Sequence, residues 1–311
     1  MGGDTMAAIV LVHGIAQEYR SAHTLEEEWV PRLARGVKAA GFPEVADRLW
    51  KYRHTRRGID ARMAFYGDLL RRHPSQGEMI DEDIQHEVTA RIGREWLDRA
   101  AVRGSVPPER QRAAREIARL EGGPGETGRT VVLSPTCGLA GLRWFAADGP
   151  GSAGGFVNKA LTQLTRYLTD DQTRNRVLDR VGAEIGFDTK VVIGHSLGAV
   201  VAYELAHRLR RPLPLLITLG SPLGPDTVVD SWVRPQPAQP PAFVENWVNL
   251  ADRDDLVAAD PTLSRMFPVP AEGGPVLRGG YTGEHGAEPH KACFYLQRRE
   301  IGRSVGLAFG S

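Results

Sequence analysis

The stretch KVVIGHSLGAVVAYELA, Lys190 to Ala206, constrains the fold of this chain more than any other. Its first half, KVVIG, reads as a buried strand and its second, AVVAYELA, as a helix. One serine, Ser196, stands between them, with Gly194 and Gly198 two places away on either side. A core strand does not need a serine at its end, and a turn does not need a second glycine. The arrangement makes sense if strand and helix meet in a tight bend that presents the Ser196 hydroxyl. Side chains at 194 and 198 would collide there with neighbouring backbone. G-x-S-x-G alone is a weak signal; the strand directly before it and the helix directly after it make it a nucleophile elbow.

The rest of the chain agrees with such an elbow. AAIVLV (7–12) reads as a buried strand ending in His13-Gly14-Ile15. Thr24 and Glu27 have capping-box spacing, and Trp29, Leu33 and Val37 make the apolar stripe of the helix that follows. EVADRLWKYR (44–53) is the candidate for the next strand. Towards the C-terminus, FVNKALTQLTRYL and TRNRVLDRVGAEIG read as amphipathic helices, and PLPLLITLG and FVENWVNL contain strands separated by a proline-rich loop, 222–242. Strands alternating with helices predict a mostly parallel sheet covered by helices on both faces. Sites in such sheets form beyond the carboxyl ends of the strands, which would gather His13, Ser196 and the loop after Leu250.

Residues 56–155 differ in character. Ile84, Val88, Ile92 and Trp96 form one helical stripe in a highly charged segment, and Pro107-Pro108 opens another helix. The expected organisation is an α/β core made of 1–55 and 156–311, with 56–155 as a mostly helical insertion, a cap over the site. Its glycine-rich stretches 122–128 and 149–155 are candidate hinges. The insertion is expected to select the substrate while the chemical machinery lies elsewhere. The stripe of Phe156, Ala160, Leu164, Tyr167 and Leu168 reads as the core face of a helix.

Composition narrows the function classes. With 311 residues and a formal net charge of +1, the chain offers no electrostatic case for nucleic acid or an anionic membrane. No apolar run approaches the length of a membrane span, and the N-terminus lacks the basic region of a signal peptide. Cys137 and Cys293 are read as reduced thiols of a cytoplasmic protein. GPGETGRT (123–130) has P-loop spacing but does not lie between a strand and a helix, so it is set aside. HGAEPH supplies two histidines without a third ligand at recognisable spacing, so no metal site is expected.

The pieces LVHGI, VVIGHSLGA, ITLGSPLG and WVNLADRDDLVA resemble the α/β-hydrolase superfamily, and within it its lipase- and esterase-like members. The resemblance covers both ends of the chain and leaves 56–155 unmatched. It implies a Ser-His-Asp triad, with Ser196 as nucleophile followed along the chain by the acid and then the histidine. Only His285 and His290 come late enough. The base of the family usually sits just before the final helix, which KACFYLQRREIGRSV resembles, and this favours His290. Asp252, Asp254 and Asp255 all follow the strand FVENWVNL; the family's acid pattern aligns best with Asp255. By the same resemblance, the backbone N–H groups of Leu197 and Ile15 form the oxyanion hole, and His13 is a positioning residue. The implied activity is hydrolysis of a carboxylic ester of a small-molecule acyl substrate, without a cofactor. The same triad would serve a thioesterase, an amidase, or an acyl-transfer or cyclising enzyme. A non-catalytic binding protein can also be built on this scaffold.

Overall fold

The structure, a computed structural model, describes residues 6–71, 82–121, 139, 142, 153–267, 274–283, 286 and 288–310. Six parallel strands form one sheet: β1 (Ile9–Val12), β2 (Ala61–Met63), β3 (Val191–His195), β4 (Leu213–Leu219), β5 (Val244–Ala251) and β6 (Val276–Tyr281). Their spatial order is β2-β1-β3-β4-β5-β6. The order reverses between β1 and β3, so the crevice at their carboxyl ends is where this architecture places a ligand. Ser196 directly follows β3, and the His13-Gly14-Ile15 turn directly follows β1.

Side chains alternate across this sheet and divide the core into two layers. Ile9, Leu11, Val191, Ile193, Leu215 and Ile217 point to one face. There they meet α1 (Ala22–Ala39), α2 (Pro43–Leu49) and the C-terminal helices. Val10, Val12, Val192, Leu216 and Trp247 point to the other face. That layer contains α3 (Glu82–Arg103), α4 (Pro107–Glu121), α5 (Ala153–Thr169), α6 (Asp171–Gly182), the elbow helix α7 (Leu197–Ala206) and α8 (Val228–Trp232). Both faces are therefore covered. The short helix α9 (Leu263–Met266) precedes β6, and α10 (Ala292–Leu296) and α11 (Arg299–Phe309) close the chain.

Several elements differ from expectation. Residues 44–53 do not form a strand: Pro43 starts α2, and Val45, Ala46 and Leu49 fall on its buried side. The strand beside β1 is β2, inside the segment read as an insertion, so the sheet extends past the expected boundary at residue 56. It was illegible because it has three residues with an arginine in the middle, which is too short for a period to show. The α1 cap is Ser21 and not Thr24: the Ser21 hydroxyl accepts from the Thr24 N–H at 3.2 Å. The final helix is broken into α10 and α11. Strand β6, with Gly279 and Gly280 in an exposed edge position, carried no strand signal.

The insertion's own stripe is only partly as expected. Val88, Ile92 and Trp96 of α3 are buried in the same cluster as Val200, Tyr203 and Trp247, whereas Ile84 is exposed. Of the stripe on α5, Ala160, Leu164, Tyr167 and Leu168 are buried. The Phe156 side chain, the glycine-rich segments apart from residues 153–155, the 123–130 motif and Cys137 lie outside the described residues. Among the described residues, no helix is long and apolar enough to cross a membrane.

Candidate active site

The bend after β3 has the geometry expected of the elbow. Ser196 adopts φ 57° and ψ −127°, a conformation that L residues rarely occupy. Its N–H donates to the Leu219 carbonyl at 2.9 Å, which ties the apex to the end of β4. The bend is held by close backbone contact on both sides. A Cβ at Gly194 would lie 2.3 Å from the Gly198 carbonyl oxygen, and one at Gly198 would lie 2.2 Å from that of Val12. Gly14 is required for the same reason, because its Cβ would stand 2.6 Å from that of Ser196. Sterics therefore demand glycine at both 194 and 198.

The structure brings Ser196, His290 and Asp255 together. His290 Nε2 lies 2.9 Å from Ser196 Oγ. On the other side of the ring, Nδ1 lies 2.9 Å from both Asp255 carboxylate oxygens. Burial alone would push the Asp255 carboxyl up. The His290 charge beside it and hydrogen bonds from His290, Tyr295 and the Ala258 N–H outweigh that and hold it below the usual carboxylate range. An ionised carboxylate only accepts hydrogen bonds, so the imidazole proton sits on Nδ1 and the Nε2 lone pair faces the serine hydroxyl. His285 lies outside the described residues.

The three candidate aspartates have separate partners. Asp252 Oδ1 accepts from the Asp254 N–H at 2.8 Å and shapes the turn. Asp254 accepts from the Ser105 N–H at 2.6 Å and from its hydroxyl. Only Asp255, of the three, reaches His290. Accordingly, His290→Ala is expected to abolish ester turnover while His285→Ala leaves it near wild type. Steady-state rates of the two purified variants check this, and the reverse ranking would move the base to His285.

Leu197 opens α7 immediately after the serine, so its N–H belongs to the first turn of that helix, where backbone donors have no intrahelical partner. Ile15 follows Gly14 on the facing loop. The next residue, Ala16, has φ 59°, and its N–H donates to Gln163 Oε1 of α5 at 2.7 Å. Gln163 also donates to Glu18, which pairs with Lys159 of the same helix at 2.7 Å. The loop carrying Ile15 is therefore fastened to α5.

Two buried histidines complete the frame. His13 Nε2 accepts from the Tyr66 N–H at 3.1 Å, so its Nδ1 carries the proton and donates to the Gly14 carbonyl at 2.7 Å. Its ring stacks on Tyr66, and burial pulls its pKa from 6.5 down to about 4. His195, the first x of the motif, donates from Nε2 to the backbone carbonyl of His290 at 2.7 Å. Burial, with the His290 ring as a like charge beside it, pulls its pKa from 6.5 down to about 3. Both rings are thus neutral scaffolding. The unfolded chain takes up these protons below about 6.5 and the folded one does not, so stability rises with pH between those folded values and 6.5. Stability against urea is expected to fall with acid by up to about 1.4 kcal/mol per pH unit for each histidine, and His195→Asn should remove one such contribution. Equal slopes for wild type and variant would refute the His195 assignment.

Sequence reading missed three of these contacts. Tyr295 donates to Asp255 Oδ2 at 2.6 Å and accepts from the Asp252 N–H at 2.8 Å; in ACFYL it looks like one more apolar helix residue. His195 was hidden as a variable position of the motif. Gly220, with φ 53°, lies where a Cβ would stand 2.7 Å from Asp255 Oδ2. Its only trace was the turn ending the strand ITLG.

A parallel sheet with a strained serine at its topological switch point, linked through histidine to a buried carboxylate, defines a protein of the hydrolase-type α/β class. A model of the α/β hydrolase fold family matches residues 120–267. That match, together with the all-parallel six-stranded sheet, supports membership of the α/β-hydrolase superfamily. No curated protein and no solved structure matches it.

Proposed function

We propose that this protein is a serine hydrolase that cleaves a carboxylic ester through an acyl-enzyme. The observation that carries the reading is the unbroken chain from Ser196 Oγ through His290 to Asp255, with both links at 2.9 Å. A serine hydroxyl is a weak nucleophile until a base takes its proton. Here Ser196 Oγ attacks the acyl carbon as its proton passes to His290 Nε2. The carbonyl oxygen becomes an oxyanion, which the N–H groups of Leu197 and Ile15 receive. His290 then returns the proton to the departing alkoxide, and the acyl group remains on Ser196. Water then attacks the acyl carbon as its proton passes to His290; the acyl–Oγ bond breaks, His290 returns the proton to Ser196 Oγ, and the acid leaves. Throughout, Asp255 holds the Nδ1–H and stabilises the imidazolium. His195 holds the backbone of His290 from below without taking a proton.

In this reading α3, whose arginines reach the turn carrying Asp255, borders the site. Labelling with an active-site-directed fluorophosphonate, followed by peptide mapping, tests the proposal. The label is expected on Ser196, with parallel loss of esterase activity on a graded series of acyl esters. A folded protein that neither labels nor turns over any member of the series would exclude the reading.

A further inference from the structure

The segment expected to select substrate also reaches the back of the triad. Helix α3 ends beside the turn that follows β5, and two of its arginines, one turn apart, point into that turn. Arg99 Nη1 donates to the carbonyls of Leu256 and Val257, at 3.1 and 3.0 Å. Arg103 Nη2 donates to the carbonyls of Asp255 and Ala258. Four consecutive carbonyls of the acid turn thus end on two guanidinium groups. Just beyond the helix, Ser105 holds the Asp254 carboxylate through its N–H and its hydroxyl. Asp255, Leu256, Val257 and Ala258 are all buried, so carbonyls left without donors there would be costly.

The peptide units involved make this more than an anchoring contact. Asp255 Oδ1 accepts from the N–H groups of Val257 and Ala258, both at 3.1 Å. Those N–H groups belong to the same two peptide planes whose oxygens, on Leu256 and Val257, Arg99 holds. Each plane is therefore pinned at both ends, guanidinium on one side and carboxylate on the other. A cation at the carbonyl polarises the peptide and strengthens its N–H as a donor to Asp255. Arg99 is itself fixed by Glu95 at 3.0 Å, and Glu95 accepts from the Val228 N–H at 2.6 Å. Burial pulls the Arg99 guanidinium down to about 10, with the Glu95 carboxylate working against that, so it remains a cation at neutral pH.

We propose that Arg99 and Arg103 are positioning residues for the triad: through the peptide planes of residues 255–258, they hold the Asp255 carboxylate on His290 Nδ1. The inference rests on the reading of Asp255 as the acid. It assigns the inserted helix a part in the chemistry besides any role in selecting substrate. Lysine at either position keeps the charge and most of the stem but has one nitrogen where the guanidinium uses two in a fixed plane: one that donates to two carbonyls, and a second that reaches Glu95 from Arg99 and the Tyr281 hydroxyl from Arg103.

The test compares Arg99→Lys, Arg103→Lys and the double variant with wild type in the full chain. Arg91→Lys serves as the control, since Arg91 lies on the same helix, pairs with Glu87 at 3.8 Å, and acts on Glu95 only through its charge, which lysine keeps. Each clamp variant is expected to lose kcat on a short acyl ester by on the order of tenfold to 100-fold with little change in KM, because the loss is one of alignment. The far-downfield proton resonance of the His290 Nδ1–H···Asp255 hydrogen bond should shift or broaden in parallel. That resonance is assigned by its absence from His290→Ala, and Arg91→Lys should leave it and kcat unchanged. A folded single variant with wild-type kcat and an unmoved resonance would overturn the proposal, whether or not the double variant folds. So would a loss of kcat with an unmoved resonance, or an equal loss in Arg91→Lys. The resonance needs no substrate. A wild-type protein that shows it yet fails to label or turn over esters would refute the hydrolase reading and leave the clamp to be judged on the resonance alone.

Discussion

Replacing Ser196 by alanine is expected to lower kcat on any ester substrate by on the order of 10⁶-fold, the scale seen when a triad nucleophile is removed. In the proposed reaction the residue contributes the attacking oxygen itself, and among the described residues the Ser196 hydroxyl is the one that bonds His290 Nε2. Folding should hardly change. The side chain is 1 % exposed but small, and its identified side-chain hydrogen bond goes to His290. Losing one such bond costs about 1 kcal/mol. Alanine meets the same positive φ as serine, so the backbone strain of the bend is unaltered. Steady-state kinetics together with a urea melt would show the two effects apart. A folded Ser196→Ala protein with undiminished turnover would sink the nucleophile assignment.

Asp255→Asn is expected to have the next largest effect, a fall in kcat of on the order of 10⁴-fold. Every neighbour that meets this carboxylate in the structure is a donor: His290 Nδ1, the Tyr295 hydroxyl and the N–H groups of Val257 and Ala258. An amide must turn its NH2 towards one of these donors, which leaves a buried clash or a lost bond. If it faces the ring, the imidazole must put its proton on Nε2, and the base then points the wrong way at Ser196. Asp254→Asn should be mild by comparison. Its partner Ser105 offers a hydroxyl that can reverse from donor to acceptor, and Asp252→Asn keeps the oxygen that receives the Asp254 N–H. Kinetics of the three variants at one pH check the ranking. A greater loss at Asp252 or Asp254 would move the acid along the turn.

What the sequence determined by itself was local and short-range. The elbow was legible because its requirements fall within five residues, Gly194 to Gly198: a strand, a bend too crowded for side chains, and a helix. The buried strands β1, β3, β4 and β5 and the stripe on α1 were legible because apolar, branched residues accumulate along them. The edge strands were not, since β2 is three residues long and β6 is exposed and glycine-bearing, and an edge strand is stabilised largely by the neighbour it pairs with. Chain order, together with the resemblance, narrowed the base and the acid to a few candidates. Only the tertiary structure decided that Asp255 faces His290 while Asp254 turns to Ser105, because adjacent residues in a turn point in different directions and their spacing carries no sign of which. The same holds for Tyr295, His195 and the arginines of α3. Their partners lie far away along the chain, 157 positions in the bond from Arg99 to Leu256. Contacts of that kind leave no period and no motif: they arise when two elements, each shaped by its own local pattern, are pressed against the same sheet.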